Sequence, residues 1–143
     1  MAKYRFEFLL QLAVDEREDA AKVLQLAQSD WLAARAKLEQ IDGYRNEYRQ
    51  RLTCGGQQGM TITQWRDYQL FLGKLDAAAE QQQQEVIRRE AAYQQALAVW
   101  QEGEKKVKGF EALKERHIAD EQRRELVREQ KMLDEFNSRS RRK

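Results

Sequence analysis

The chain has 143 residues with no proline, one cysteine, one histidine, 35% charged residues and a formal net charge of +2; its mean hydropathy is -0.92. That length suggests one domain, too polar for a thick globular core and too regular and Ala/Glu/Arg/Leu-rich for plain disorder. One cysteine excludes an intrachain disulfide or a cysteine metal cluster, and one histidine excludes a multi-histidine metal site.

A near-neutral charge does not imply a long nucleic-acid surface. No apolar run approaches ~18 residues and no secretory signal is visible, so a cytoplasmic chain is expected, with membrane association only through partners.

The first helix is expected over residues 4–52. Alternating steps of three and four from Phe6 pass through Leu10, Ala13, Arg17, Ala20, Leu24, Ala27 and Trp31. They continue through Ala34, Leu38, Ile41, Arg45, Tyr48 and Leu52. Only two positions of this seam are charged, and it persists far beyond the three or four heptads that mark a coiled coil. One row is large (Leu10, Leu24, Trp31, Leu38, Leu52) and the other is mostly alanine. A helix this long needs a second long helix to cover it.

Residues 53–61 interrupt the pattern with Gly55, Gly56 and Gly59, which suit a helix end and a turn. Thr61 and Gln64 have capping-box spacing, and Met60 and Trp65 have staple spacing. The glycines lack the Gly-Lys-Ser/Thr ending of a phosphate loop, and Cys54 has no paired base.

The second helix is expected over residues 62–137. A strict seven-residue step gives Trp65, Leu72, Ala79, Val86, Tyr93, Trp100 and Val107. Facing this row with the large row of the first helix, so that residue numbers sum to 117, pairs Leu52 with Trp65 and Leu38 with Ala79. The same register pairs Trp31 with Val86, Leu24 with Tyr93 and Leu10 with Val107. It also lays Arg17 over the Trp100 ring. Asp76, Gln83, Glu90 and Glu104 then form a polar second row over the alanines, their stems covering small residues. Glu85–Arg89, Glu102–Lys106 and Glu104–Lys108 have the spacing of i,i+4 ion pairs.

In this register the first helix runs out opposite residue 110. The remaining helix carries Phe110, Leu113, Ile118, Leu126, Leu133 and Phe136 beside Arg123, Arg124, Arg128 and Lys131. It is expected to fray until a partner orders it. The basic tail, residues 138–143, is expected to be disordered, and His117 is expected on the surface. The fold class is therefore all-α: an antiparallel two-helix coiled-coil hairpin, second helix longer than the first. Phe71, Leu75 and Ala78 form an additional apolar stripe, either a widened seam or a docking face. No catalytic constellation is present, and neither a cofactor nor a small-molecule substrate is expected.

Three stretches carry a resemblance: Tyr44-Arg45-Asn46-Glu47-Tyr48-Arg49, Trp65-Arg66-Asp67-Tyr68-Gln69-Leu70-Phe71 and Gln130-Lys131-Met132-Leu133-Asp134-Glu135-Phe136. In order and spacing the whole chain resembles the FliJ family of the bacterial flagellar type III export apparatus. The resemblance implies a non-enzymatic stalk resembling the central shaft of a rotary ATP synthase. Its partners would be the hexameric export ATPase, the cytoplasmic domain of the export gate and empty export chaperones. It implies gate contacts at Phe71, Leu75, Ala78 and Gln82, the last standing where the family pattern has a histidine. Arg123, Arg124, Arg128 and Lys131 lie where the ATPase ring would hold the unpaired helix. Two alternatives remain: the corresponding stalk of a virulence type III secretion system, or a coiled-coil scaffold or nucleic-acid-binding protein using the basic tail.

Overall fold

A computed structural model describes residues 2–142, and the surroundings of side chains 5–56 and 59–141. The fold is all-α, an antiparallel two-helix coiled-coil hairpin, with α1 spanning Ala2–Gln58 and the longer α2 spanning Ile62–Arg142. Lys143, the last residue of the expected tail, lies outside the described residues. Both helices outrun their expected bounds. Thr53, Cys54, Gly55 and Gly56 stay helical, as do residues 138–142, since two glycines weaken a long helix without stopping it and no proline intervenes.

What stops α1 is Gly59, with φ of 85°, a left-handed conformation that a side chain disfavours. The Met60 amide donates to the Gly55 carbonyl at 3.0 Å, the six-to-one bond of a Schellman closure, and the Met60 side chain covers Gly55. Thr61 then caps α2. Its hydroxyl accepts from the Gln64 amide at 3.2 Å, and its own amide donates to Gln64 Oε1 at 3.4 Å. The Thr61 carbonyl accepts from the Trp65 amide at 3.0 Å, starting the helical ladder. Trp65 itself stays 42% exposed.

The chain divides into two compact units, Met1–Asp19 with Trp100–Lys143, and Ala20–Val99. In the second, the seam expected on α1 is realised at every position from Ala20 to Leu52, each half-buried or buried. The pairing across it differs from expectation by about three residues. Trp31 stacks on Tyr93 at 5.1 Å, Gln82 meets Ala34, Arg45 meets Asp76, and Tyr48 packs on Phe71 at 4.7 Å. These pairs centre on a residue-number sum near 120, not 117. The inner row beside Leu72, Ala79 and Val86 is Tyr68, Leu75, Gln82 and Ala96; Gln83 and Glu90 are exposed, and Asp76 is half-buried. The physical reason is charge. Seating Asp76, Gln83 and Glu90 against alanine would desolvate carboxylates, whereas the row one position earlier contributes leucine, alanine and an amide.

The other unit shows the same correction. Val107 is fully buried and Ala13 is 4% exposed. Arg17 does not lie over Trp100: its guanidinium meets Glu104 at 3.4 Å, and its Cα would lie 3.4 Å from a Cβ added at Gly103. Among the described residues the cation–π pairs are instead Arg35 over Trp31 and Arg51 over Tyr48. Two of the expected i,i+4 pairs are likewise replaced, because Glu104 turns to Arg17, Lys106 to Glu16 and Glu102 to Lys105. Glu85–Arg89 forms as expected, at 2.8 Å. His117 is half-buried, not a free surface residue. Its ring packs on Phe6 at 5.9 Å and Nε2 lies 3.2 Å from Glu121. Pairing therefore extends to about Ala119, and from Asp120 to Arg141 every residue is exposed.

Candidate docking surfaces

The short turn decides where the apolar stripe of α2 falls. With Thr61 as the cap and α2 beginning at Ile62, Leu72 and Ala79 lie inward, and Phe71, Leu75 and Ala78 flank them on one side. Phe71 is 44% exposed, with one ring face supported by Tyr48, which also packs on Tyr68 at 5.6 Å. Leu75 and Ala78 are half-buried. Ala78 borders a groove between the helices with Ala33, Ala34, Lys37 and Ile41.

Gln82, expected on the same stripe, lies beneath it. It is 8% exposed and its Nε2 donates to the Ala34 carbonyl at 3.0 Å. A buried amide held this way contributes to the seam, and of the four residues only Phe71, Leu75 and Ala78 keep surface open to solvent. The supporting role of Tyr48 went unread in the sequence, although its spacing of four from Tyr44 marks an aromatic patch on α1.

Beside the stripe lies a charge cluster. Arg45 Nε donates to Asp76 Oδ1 at 2.8 Å and Nη1 to Asp42 Oδ1 at 3.0 Å, and Arg49 approaches Asp76 at 3.6 Å. The hydrogen bond to Asp76, then that to Asp42, holds the Arg45 guanidinium above its ordinary pKa, with burial opposing.

In the other unit, Arg123, Arg124 and Arg128 surround Val127 in a shallow hollow, and Lys131 is exposed. None of these four forms an ion pair among the described residues. They share their helix with Leu126, Met132, Leu133 and Phe136, which are 57–71% exposed. Among the described residues no group of three or more His, Cys, Asp or Glu is placed to hold a metal, and no helix is long and apolar enough to cross a membrane.

The Flagellar FliJ protein family model matches residues 1–143. The chain belongs to the FliJ family. Among its relatives, the flagellar FliJ protein of Salmonella typhi is 30% identical over 134 residues, covering 94% of this chain and 91% of the relative. That of Escherichia coli (strain K12) is 31% identical over 132 residues, covering 92% and 90%. This member of the FliJ family is therefore a flagellar, export-related protein.

Proposed function

We propose that this FliJ-family chain is a non-enzymatic adaptor of the flagellar export apparatus, joining the export ATPase ring to the cytoplasmic domain of the export gate and handling empty export chaperones. The observation that carries this reading is the presence of two unlike exposed surfaces in separate compact units. One is apolar and aromatic, around Phe71, Leu75 and Ala78; the other is a free helix with Arg123, Arg124, Arg128 and Lys131. An apolar ridge suits a folded groove, and a basic helix with a leucine face suits a ring lined by carboxylates. Its place is the cytoplasm, peripheral to the membrane through these partners.

The test is a pull-down with purified export ATPase, reading association and hydrolysis rate for the full chain and for residues 1–119. Binding and stimulated hydrolysis by the full chain alone support the reading. Equal effects from the truncated chain remove the free helix from it.

A further inference from the structure

The free stretch of α2 has two unlike sides. Gly103, Phe110 and His117 are inward residues seven positions apart, and Arg124 and Lys131 continue their row. Val107 and Lys114, also inward, lead in the same way to Arg128. The basic side is thus the seam itself, prolonged past the point where Phe6 of α1 meets His117. Leu126 stands two positions before Arg128 and Leu133 two after Lys131, about 200° round the helix. With Met132 and Phe136 they form an apolar row, 57–71% exposed, on the side of α2 turned away from α1. No extension of α1 along its own seam would cover that row.

A second copy of the same stretch fits it. Two such helices, laid antiparallel and centred on Lys131, overlap over the whole of residues 120–142. In that alignment Leu126 of each copy meets Phe136 of the other, and Leu133 lies over the stem of Glu129. Met132 meets its own counterpart across the two-fold axis. At the flank, Glu125 of each copy comes beside Arg139 of the other. Both are exposed, and neither forms an ion pair among the described residues. Arg124, Arg128 and Lys131 point away from the contact, so no like charges face one another. Aligned parallel, Glu125 and Arg139 stay apart. The register that matches the charges is therefore also the one that covers the free helix from end to end.

We propose that the apolar row of the free helix is a self-association surface, through which two copies pair antiparallel about Lys131. Gln122 and Glu129 stand in the row beside the leucines, so the contact is of the weak class, with a dissociation constant on the order of 10 µM. Pairing covers Leu126, Leu133 and Phe136 while the protein is free and leaves the basic side open. It holds whether or not an ATPase ring is the partner of that basic side.

The test is sedimentation of the full chain from about 1 to 200 µM, with Cys54→Ser to exclude a disulfide. The mass should rise from one chain to two across that range. Leu126→Ser with Leu133→Ser, both at exposed positions, should keep the helix content and weaken association at least about tenfold. Glu125→Arg alone or Arg139→Glu alone should weaken it about fivefold, and the two together should restore it. A single-chain mass at every concentration overturns the proposal. So does a dimer that survives the double serine change, since its contact then lies elsewhere. A double charge reversal that associates no better than either single one overturns the antiparallel pairing.

Discussion

Arg45 on α1 donates to Asp76 on α2 at 2.8 Å across the seam of the unit formed by residues 20–99. The pair is only partly screened, with the two side chains 26% and 45% exposed. Replacing Arg45 with alanine should cost about 1 kcal/mol, at the upper end for an exposed pair, because two carboxylates lose their cation together. Urea unfolding followed by circular dichroism measures it. The contribution has a definite pH sense. A basic group with a raised pKa contributes fully at and below neutrality and loses its share only as pH climbs through the folded value, here in strong alkali. The cost of the substitution should therefore be the same at pH 6 and pH 9.

Gly56 sits inside α1 with nothing within 4 Å of an added Cβ. Gly56→Ala should stabilise the chain by about 1 kcal/mol, chiefly by lowering the freedom of the unfolded state. Gly55→Ala should gain less, because its Cβ would run into the Met60 side chain that covers the turn. Gly59→Ala should destabilise, since Gly59 holds a φ of 85°. Thermal melts of the three variants test this ranking. An equal gain at all three would contradict the Schellman closure.

Among the described residues, Gln82 is the one buried polar residue whose partner is a backbone carbonyl on the other helix. Gln82→Ala removes a donor and leaves the Ala34 carbonyl with its helical bond, costing about 1 kcal/mol. Gln82→Glu sets a carboxylate against that carbonyl and should cost more at pH 7 than at pH 4, where the acid can donate. The comparison is made by urea midpoints at the two pH values. A Glu variant as stable as the Ala variant at pH 7 would mean that the side chain leaves the seam freely.

Val107 is fully buried, while Leu126, on the same helix, is 65% exposed. Val107→Ala should cost about 1–2 kcal/mol through lost transfer energy and an incompletely closed cavity. Leu126→Ala should leave stability within about 0.5 kcal/mol of the parent. If Leu126→Ala weakens ATPase binding at unchanged stability, the exposed face of the free helix is an interaction surface.

The long seam of α1 was legible because Phe6 through Leu52 holds one period with two interruptions, and period is the strongest signal a helix leaves. Every position of it that follows Phe6 is inward or half-inward. The capping box at Thr61 was legible for the same reason, since its residues are local. The register was not. It depends on which α2 row accompanies Leu72, and Gln82 and Gly103 disguise that row as surface. The last turn of α1 was missed because glycine propensity argued for a break, whereas the helix persists until a left-handed residue at Gly59 is reached. The placement of Phe71, Leu75 and Ala78 along one side of α2 followed from spacing alone. The burial of Gln82 required knowing the opposite helix.

The connection of three residues between α1 and α2 also sets an order in time. Arg45 and Asp76 are 31 positions apart, Gln82 and Ala34 are 48 apart, and Arg17 and Glu104 are 87 apart. Loop-closure entropy rises with the logarithm of that separation, so forming the last of these first would cost about 1 kcal/mol more than forming the first. Once the innermost layer exists, each following layer closes over a few residues and the helices zip outward from Tyr48 and Tyr68. On the ribosome, α1 is finished and solitary until Phe71 and Leu75 emerge, so its apolar row stays open to solvent through most of translation. Nascent chains from which Gln82 has and has not left the ribosome should differ sharply in protease resistance across Ala34.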